Sequence, residues 1–226
     1  MRSRRSAHVL RGSTRPLLLS AALLLAVPAA AFAQTPQNPR IGPFVVDVRG
    51  AFQKFKPDPL TASGIDVKPA SLPTHAFGLV AGAHWYPLRL GRVTFGVGGE
   101  MITSGASHTT APSTAGGEPG PTVHTHFSSI TPQISFNFGG HLGWSYVSGG
   151  IGGATLRVER ADTPLPDAPK RKTINYGFGA RWFASPHVAV SLDARWYAVN
   201  PQAATDTIPA QPRATLLVFS GGIAIR

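Results

Sequence analysis

Hydrophobic and polar side chains alternate strictly along two neighbouring stretches, residues 173–183 and 188–199, which are separated by the short link 184–187. Alternation with a period of two predicts β-strands. Strands of soluble proteins usually have about five or six residues, whereas a tilted membrane-spanning strand needs about 9–11. A long apolar face opposite a charged face therefore predicts strands with lipid on one side and a polar barrel interior on the other.

The same alternation recurs along the rest of the chain and predicts eight strands in all. They are residues 44–55, 76–86, 93–104, 127–138, 144–158, 173–183, 188–199 and 214–225. The fifth of these is rich in glycine, and alternation does not decide which of its faces points inward. The fourth contains Pro132, which predicts a bulge or an unpaired carbonyl, because proline has no N–H to donate to a sheet.

The links between the predicted strands alternate in length. Three are short, at residues 87–92, 139–143 and 184–187. Four are long, at residues 56–75, 105–126, 159–172 and 200–213. Tight turns at one end and longer loops at the other are typical of outer-membrane barrels, whose long loops face outward.

Aromatic residues cluster beside the short links, which predicts a girdle at the level of the lipid headgroups. The predicted members at that end are Trp85, Tyr86, Trp144, Tyr146, Trp182 and Phe183, and Trp196 is expected toward the opposite rim. The alternative is that these are core aromatics of a soluble barrel.

Residues 1–33 are predicted to be an N-terminal signal peptide that exports the protein. A leader with five arginines precedes the apolar run 17–27, and Ala31-Phe32-Ala33 provides a small-x-small cleavage site before Gln34. The run is too short to span a membrane. A twin-arginine signal at Ser3-Arg4-Arg5 is a less favoured alternative. Residues 34–43 then form a short lead-in and residues 44–226 the barrel.

Removal of this leader changes the charge of the chain. The full sequence has 21 Lys and Arg and 10 Asp and Glu. Five basic residues lie in the leader, which leaves 16 basic against 10 acidic residues, a net charge of +6. These charges are scattered apart from Lys170-Arg171-Lys172, so no nucleic-acid partner is expected. That triplet is predicted to lie in a solvated loop, with contact to lipopolysaccharide as the alternative.

The chain contains no cysteine, which excludes disulfide bonds, a thiolate nucleophile and a cysteine-ligated zinc site. After the leader, no apolar run approaches the 18 residues typical of a membrane-spanning helix. A closed hydrogen-bonded sheet is therefore the expected source of stability.

The hairpin sequences GFGARWF and VSLDARWY, the glycine-rich third and fifth strands and the regular links resemble the small eight-stranded outer-membrane barrels of the OmpA/OmpX/OmpW-like superfamily. The resemblance extends from about residue 44 to the C-terminus. It implies an all-β, eight-stranded antiparallel up-and-down transmembrane barrel in the cell outer membrane. It also implies contact with outer-membrane lipid and lipopolysaccharide, and insertion by the barrel-insertion machinery. The chain departs from this family in ending at Arg226 rather than at an aromatic residue, and in lacking a peptidoglycan-binding domain after the barrel.

Six charged residues are predicted to share the inward face of the barrel: Asp47, Arg49, Glu100, Arg181, Asp193 and Arg195. A lysine or arginine facing lipid near the midplane costs about 2–4 kcal/mol, so inward pairing is favoured. The interior of an eight-stranded barrel is just wide enough to be filled by side chains. The sequence therefore predicts an ion-pair network that blocks the lumen, with a switchable gate or a narrow ion path as the alternative.

Candidate catalytic and metal-binding residues show no diagnostic spacing. His108, His124 and His126 could ligate a metal, but their positions match the outward face, and a metal site needs convergent ligands. Rim residues that could supply a nucleophile or a base are Ser104, Ser107, His108, Ser113, His124, His126 and Asp162. We expect no catalysis, no metal and no cofactor.

The sequence thus predicts an outer-membrane barrel with a structural or surface-interaction role, acting through four long extracellular loops that could contact an extracellular ligand. A narrow pore for small solutes or ions is the main alternative. A rim-active outer-membrane enzyme and a soluble periplasmic ligand-binding barrel are less favoured. The last of these would need an apolar interior, whereas the predicted inward faces are polar and rich in glycine.

Overall fold

The computed structural model describes residues 41–112, 116–165 and 168–226. The predicted signal peptide, its cleavage site, most of the lead-in and Ser113 lie outside this part of the chain. The described residues form eight strands. These are β1 (Phe44–Lys54), β2 (His75–Leu90), β3 (Val93–Thr109), β4 (Thr122–Gly140), β5 (Gly143–Arg160), β6 (Arg171–Phe183), β7 (Val188–Val199) and β8 (Ala214–Ile225).

The strands form one closed barrel in sequence order. Every strand pairs antiparallel with its neighbours in the chain, and β1 pairs antiparallel with β8 from Val46–Ile225 to Lys54–Leu217. Closure pairs every strand on both sides, so the barrel has no edge strand. The predicted eight-stranded antiparallel up-and-down fold is confirmed.

The strands β2 to β5 are longer than predicted, and the turns between them are shorter. The β2–β3 and β4–β5 turns comprise residues 91–92 and 141–142, and the β6–β7 turn comprises residues 184–187 as predicted. The β3–β4 pairing continues from Ser104–Phe127 to Thr109–Thr122. This extension contains serine, threonine and histidine together with glycine, alanine, valine and phenylalanine, because the ladder joins backbone groups and does not require strictly apolar alternation. We call the end of the barrel with these three turns the short-turn end and the opposite end the long-loop end.

Two prolines lie within strands, with different consequences. Pro132 interrupts the pairing of β4 with β5, and the pairs on either side keep the same register, so no bulge forms there. Pro87, which was predicted to lie in a turn, follows Tyr86 in β2, where the register against β3 shifts between Trp85 and Leu88. A bulge accommodates the missing N–H of a proline because the ladder is already irregular there.

The first long loop contains a short helix, α1 (Pro59–Gly64), followed by a single 3₁₀ turn at Pro69–Ser71. Asp58 caps α1 by accepting a hydrogen bond from the Thr61 backbone N–H at 2.8 Å. Pro59 occupies the first helical turn, where a backbone N–H has no acceptor within the helix, so the missing N–H of proline costs no hydrogen bond. No helix in the described part of the chain is long and apolar enough to cross a membrane.

Side chains alternate between an apolar outer surface and the interior. The exposed large apolar residues include Phe44, Val46, Val48, Phe77, Leu79, Val97, Met101, Ile130, Ile134, Phe178, Leu192 and Ile223. The facing of β5 is also settled: Val147 and Ile151 point outward, whereas Trp144, Tyr146 and Ser148 are buried inside. An apolar exterior around a partly polar interior is the arrangement of a barrel that is surrounded by lipid.

Candidate functional site

Six charged side chains meet in the middle of the barrel, and we call them the luminal network: Asp47, Arg49, Glu100, Arg181, Asp193 and Arg195. They come from β1, β3, β6 and β7, and all six are buried. The alternation of each strand brings its charged positions to the inner wall. Three arginines oppose three carboxylates, so the network is balanced in formal charge.

Arg49 is the centre of the luminal network because its guanidinium contacts all three carboxylates. Its Nε lies 2.7 Å from Asp47 Oδ1, and its Nη1 lies 3.5 Å from Asp193 Oδ1. Its Nη2 forms a further ion pair with Glu100. Nη1 also donates a hydrogen bond to the Ser220 hydroxyl at 3.0 Å. A planar group with five donors can satisfy several acceptors at once, which a lysine could not do.

Arg195 closes the network into a ring with Arg49. Its Nε lies 3.2 Å from Glu100 Oε1, and its Nη2 lies 3.1 Å from Asp193 Oδ2. Arg195 Nη2 also donates to the Ser148 hydroxyl at 2.7 Å. Each of the two carboxylates is thus held between two guanidinium groups, which offsets the cost of burying the charges.

Arg181 and three tyrosines add further hydrogen bonds to the luminal network. Arg181 pairs with Asp47 and donates to the Tyr86 hydroxyl at 3.0 Å. The Tyr146 hydroxyl donates to Asp193 Oδ2 at 2.9 Å, and the Tyr197 hydroxyl donates to Glu100. Buried charges that also receive hydrogen bonds hold one geometry rather than several.

The interior at the short-turn end is aromatic, which corrects part of the predicted girdle. Tyr86, Trp144 and Tyr146 are only 7%, 3% and 4% exposed, and they belong to an internal cluster with Ile41 and Val45. Their assignment to the outer girdle was wrong. Tyr86 and the even-numbered residues of β5 occupy the inward positions in the alternation of their strands, where an eight-stranded barrel needs bulky side chains.

The remaining predicted girdle residues differ in position. Trp85 and Trp182 are 58% and 52% exposed on the outer wall at the short-turn end. Phe183 is partly buried against the internal cluster, with its ring centroid 5.3 Å from that of Trp144. Trp196 is outward-facing and stacks on Tyr176 with a centroid distance of 5.7 Å.

The two classes of tryptophan should differ in their access to lipid. We expect lipids brominated in the upper acyl chain to quench single-tryptophan variants that retain Trp85 or Trp182, since these indoles lie on the outer wall. The variant that retains Trp144 should show little quenching because its indole lies inside the barrel. Fluorescence of the variants in vesicles measures this, and strong quenching of Trp144 would contradict its placement.

The interior at the long-loop end contains a large apolar cluster beside buried polar side chains such as Gln53, Thr125 and Thr173. A buried cluster there combines inward residues of the strands with residues of the first long loop: Val80, Ile102, Val123, Phe127, Leu156, Val158, Val199, Leu216, Val218, Ala62, Ile65 and Leu72. The inward faces in this half of the barrel are therefore partly apolar, whereas polar faces rich in glycine were expected. The cluster includes Tyr197, whose hydroxyl donates to Glu100, so the apolar layer lies directly on the luminal network.

Among the described residues, Ser107 lies opposite His124 in the β3–β4 ladder, but no hydrogen bond joins a candidate serine to a candidate histidine. Ser104 is buried in the lumen and donates a hydrogen bond to Gln53, so it does not lie on the rim. His124 and His126 are exposed, and His126 Nε2 lies 3.2 Å from Thr103 Oγ1. Within the described residues, no three potential metal ligands come together.

The basic triplet and the predicted rim acid have separate environments. Arg171 is buried at the start of β6 and donates to the Asn200 carbonyl at 3.3 Å, so it is not in a solvated loop as predicted, whereas Lys170 and Lys172 are exposed. Hydrogen bonds from Arg160 hold the pKa of the exposed Asp162 carboxyl below its usual range. An acid engaged in this way is a poor general base.

Arg226 connects the turns at the short-turn end. Its Nε donates to the Pro186 carbonyl at 2.6 Å, and its Nη1 donates to the His141 carbonyl at 2.7 Å. Its guanidinium also lies 3.9 Å from the centre of the Phe183 ring. The residue thus joins the β4–β5 turn to the β6–β7 turn through donors that an aromatic side chain would lack.

Comparisons with known proteins give structural neighbours and no family. No family model and no curated protein match the chain in sequence. Solved structures similar to the chain include Ail, the attachment invasion locus protein of Yersinia pestis, with 12% identity, a TM-score of 0.47 and coverage of 81% of this chain and 99% of Ail.

Two further neighbours have comparable scores. Neisserial surface protein A has 14% identity and a TM-score of 0.48, with coverage of 81% of this chain and 97% of that protein. The outer membrane protease OmpT from Escherichia coli has 10% identity and a TM-score of 0.42, with coverage of 84% and 97%. At these identities, the likenesses assign neither a family nor an activity to this chain.

Proposed function

We propose that this chain is an outer-membrane barrel protein with a structural or surface-interaction role. It acts through the long-loop end, and the luminal network closes its interior. Neither catalysis nor a cofactor is part of this role. The observation that carries the proposal is the luminal network itself, in which three buried arginines and three buried carboxylates balance in charge and pair across the barrel.

The surface supports the membrane location in this proposal. Soluble proteins bury most large apolar side chains and expose charged ones. In the described part of this barrel, large apolar side chains cover the outer wall, whereas Asp47, Arg49, Arg181, Asp193 and Arg195 are inside. Lipid is the solvent that makes this distribution stable. Contact with outer-membrane lipid and lipopolysaccharide, and assembly by the barrel-insertion machinery, belong to the same proposal.

The interior supports the absence of a pore. A pore requires an open polar path, and here the side chains of the luminal network fill the barrel between an aromatic cluster and a mainly apolar cluster. Ions crossing such a barrel would have to displace guanidinium–carboxylate pairs and then pass apolar side chains. Both steps are unfavourable because neither layer replaces the hydration of an ion.

The first test is the location and folding of the protein. The protein in an outer-membrane fraction should show heat-modifiable mobility on SDS gels, because a closed barrel resists the detergent until it is boiled. An unshifted band in the soluble periplasmic fraction would overturn the membrane assignment. It would make a periplasmic ligand-binding barrel the leading hypothesis.

The second test separates a closed barrel from a pore. In planar lipid bilayers, the folded protein should give no stepwise conductance above that of the bare bilayer. The Arg181→Ala variant, which removes one of the two arginine partners of Asp47, should become leaky or less stable, and Arg160→Ala serves as a control outside the lumen. Steady unitary conductance of the unmodified protein would contradict the closed interior and favour the narrow pore.

A further inference from the structure

A cavity of about 530 Å³ lies at the long-loop end, where β1 continues into the first long loop and the last long loop continues into β8. Its lining combines residues from both of these junctions with Thr125, Leu156 and Val158 from the extended strands β4 and β5. Small-molecule sites usually have about 300–1,000 Å³. The cavity therefore has the volume of such a site.

Two of the three charged residues in the lining are cations. Lys56 follows β1 and Arg213 precedes β8, and both residues are exposed. Neither forms an ion pair within the described part of the chain. Because β1 and β8 are paired as far as Lys54 and Leu217, the two chain segments leave the sheet side by side. They bring two cations without an acidic partner to the same cavity.

The third charged residue in the lining is Asp58. Its Oδ1 accepts the Thr61 backbone N–H at 2.8 Å, which holds this carboxylate at the start of α1. Two cations against one carboxylate leave the lining with one excess positive charge. A ligand with a single negative charge would balance this excess.

Most of the remaining residues in the lining are apolar. Phe55, Leu156 and Leu216 belong to the buried apolar cluster that borders the cavity, and the half-buried Pro57 and Pro212 lie nearer the surface. These side chains are packed before any ligand binds, so ordering them costs little conformational entropy on binding. Such a lining suits an apolar group, whereas a strongly hydrated group would lose water there without replacement.

We propose that this cavity binds a small organic monoanion with an apolar body, such as a hydrophobic carboxylate or sulfonate. Lys56 and Arg213 attract the anionic group, and the apolar body packs against the apolar part of the lining. The ligand enters from the long-loop face. This proposal names a ligand class for the long-loop end, so it rests on the surface-interaction role proposed above.

The test uses probes that separate the charge from the apolar body. Naphthalene-1-sulfonate has both, naphthalene-1-sulfonamide has the same rings without the charge, and methanesulfonate has the charge without the rings. Each is titrated into the full folded protein in nanodiscs of zwitterionic lipid, with ¹³C-labelled leucine and valine methyl groups. We expect saturable shifts of the Leu156, Val158 and Leu216 methyls with the naphthalene sulfonate and none with methanesulfonate. The sulfonamide should bind more weakly by about fivefold, since ion pairs of exposed cations are weak.

Two double variants identify the cations. In Lys56→Gln with Arg213→Gln, the affinity for the sulfonate should fall to that for the sulfonamide. Lys170→Gln with Lys172→Gln removes the same charge from two exposed lysines outside the cavity, and it should preserve the difference. Added salt should weaken binding of the sulfonate more than that of the sulfonamide, because it screens exposed charges.

Four outcomes would overturn the proposal. Equal affinity of the unmodified protein for sulfonate and sulfonamide would exclude recognition of the charge, and an unchanged preference in the Lys56 and Arg213 double variant would exclude these cations. Methanesulfonate binding as tightly as the naphthalene sulfonate would exclude a role of the apolar lining. A non-saturable shift shared by the outward Val147 methyls would indicate partition into lipid.

The same samples distinguish failure of this site from failure of the proposed membrane location. Protein that keeps heat-modifiable mobility but gives one of these four outcomes would overturn the ligand site alone. Loss of that mobility from the unmodified protein would instead overturn the membrane barrel on which the site rests.

Discussion

The Arg49→Met variant is expected to lose about 3–5 kcal/mol of the free energy of unfolding, because it leaves buried carboxylates without their shared partner. Arg49 contacts Asp47, Glu100 and Asp193, and all four side chains are buried. Methionine has a similar length, so the loss is one of charge and hydrogen bonds rather than of volume. Urea titration of the barrel in vesicles, followed by tryptophan fluorescence and gel mobility, measures it.

Two controls make this measurement specific to the luminal network. Arg160→Met removes an arginine that also pairs with a carboxylate, Asp162, but on the exposed surface, where water screens the charges. It should leave the unfolding midpoint unchanged. Adding Glu100→Gln to Arg49→Met restores charge balance in the lumen, so the double variant should lose less than the sum of the two single variants. An unfolding midpoint for Arg49→Met equal to that of the unmodified protein would contradict the network as a stabilising element.

The sequence was sufficient to predict that the charged residues face the interior, but not to predict which residues pair with one another. A period of two decides which side of a strand a residue occupies, and this places Asp47 and Arg195 inside. The position of each residue along the barrel axis depends on the stagger between neighbouring strands. The alternation within a single strand gives no information about that stagger. The contact of Arg49 with Asp193, across 144 positions of sequence, therefore required the three-dimensional structure.

The aromatic residues of β5 could not be placed from the sequence because the strand lacks a contrast between its faces. Trp144 and Tyr146 alternate with Ser145 and Val147, and glycines follow on both faces. The prediction took proximity to a short turn as evidence for the lipid interface. In a narrow barrel, however, the same rings are needed to fill the interior, and there they bond with charged groups, as Tyr146 does with Asp193.

The sequence contains signals for the helix in the first loop and for the apolar layer that this helix covers. The prediction did not use them. Asp58 followed by Pro59 is a helix start, with a capping side chain and a proline in the first turn. Valine at the inward positions Val158 and Val218 marks apolar residues on the inner wall near the long-loop end. A rule that assigns every apolar face to lipid cannot predict a hydrophobic layer inside a membrane barrel.

The Gly152→Ala variant is expected to lose about 1–3 kcal/mol or to fail to fold, because β4 leaves no room for a side chain at this position of β5. A Cβ at Gly152 would lie 2.2 Å from the Ile130 carbonyl oxygen and 2.8 Å from the Thr131 Cα, both of them backbone atoms. The clash lies beside Pro132, where the β4–β5 pairing is interrupted. A rotamer change cannot relieve it, so two strands of a closed barrel would have to move apart.

The adjacent Gly153→Ala variant is the matched control, since a Cβ there meets no atom within 4 Å. Neither residue has a positive φ, so alanine is compatible with the backbone at both positions and space alone distinguishes them. Gly153→Ala should be neutral or stabilise the barrel by about 0.4–1 kcal/mol through the entropy of the unfolded chain. Refolding yield and unfolding midpoint in vesicles compare the pair. If both variants behaved alike, the close approach of β4 and β5 at Gly152 would not be a requirement of this barrel.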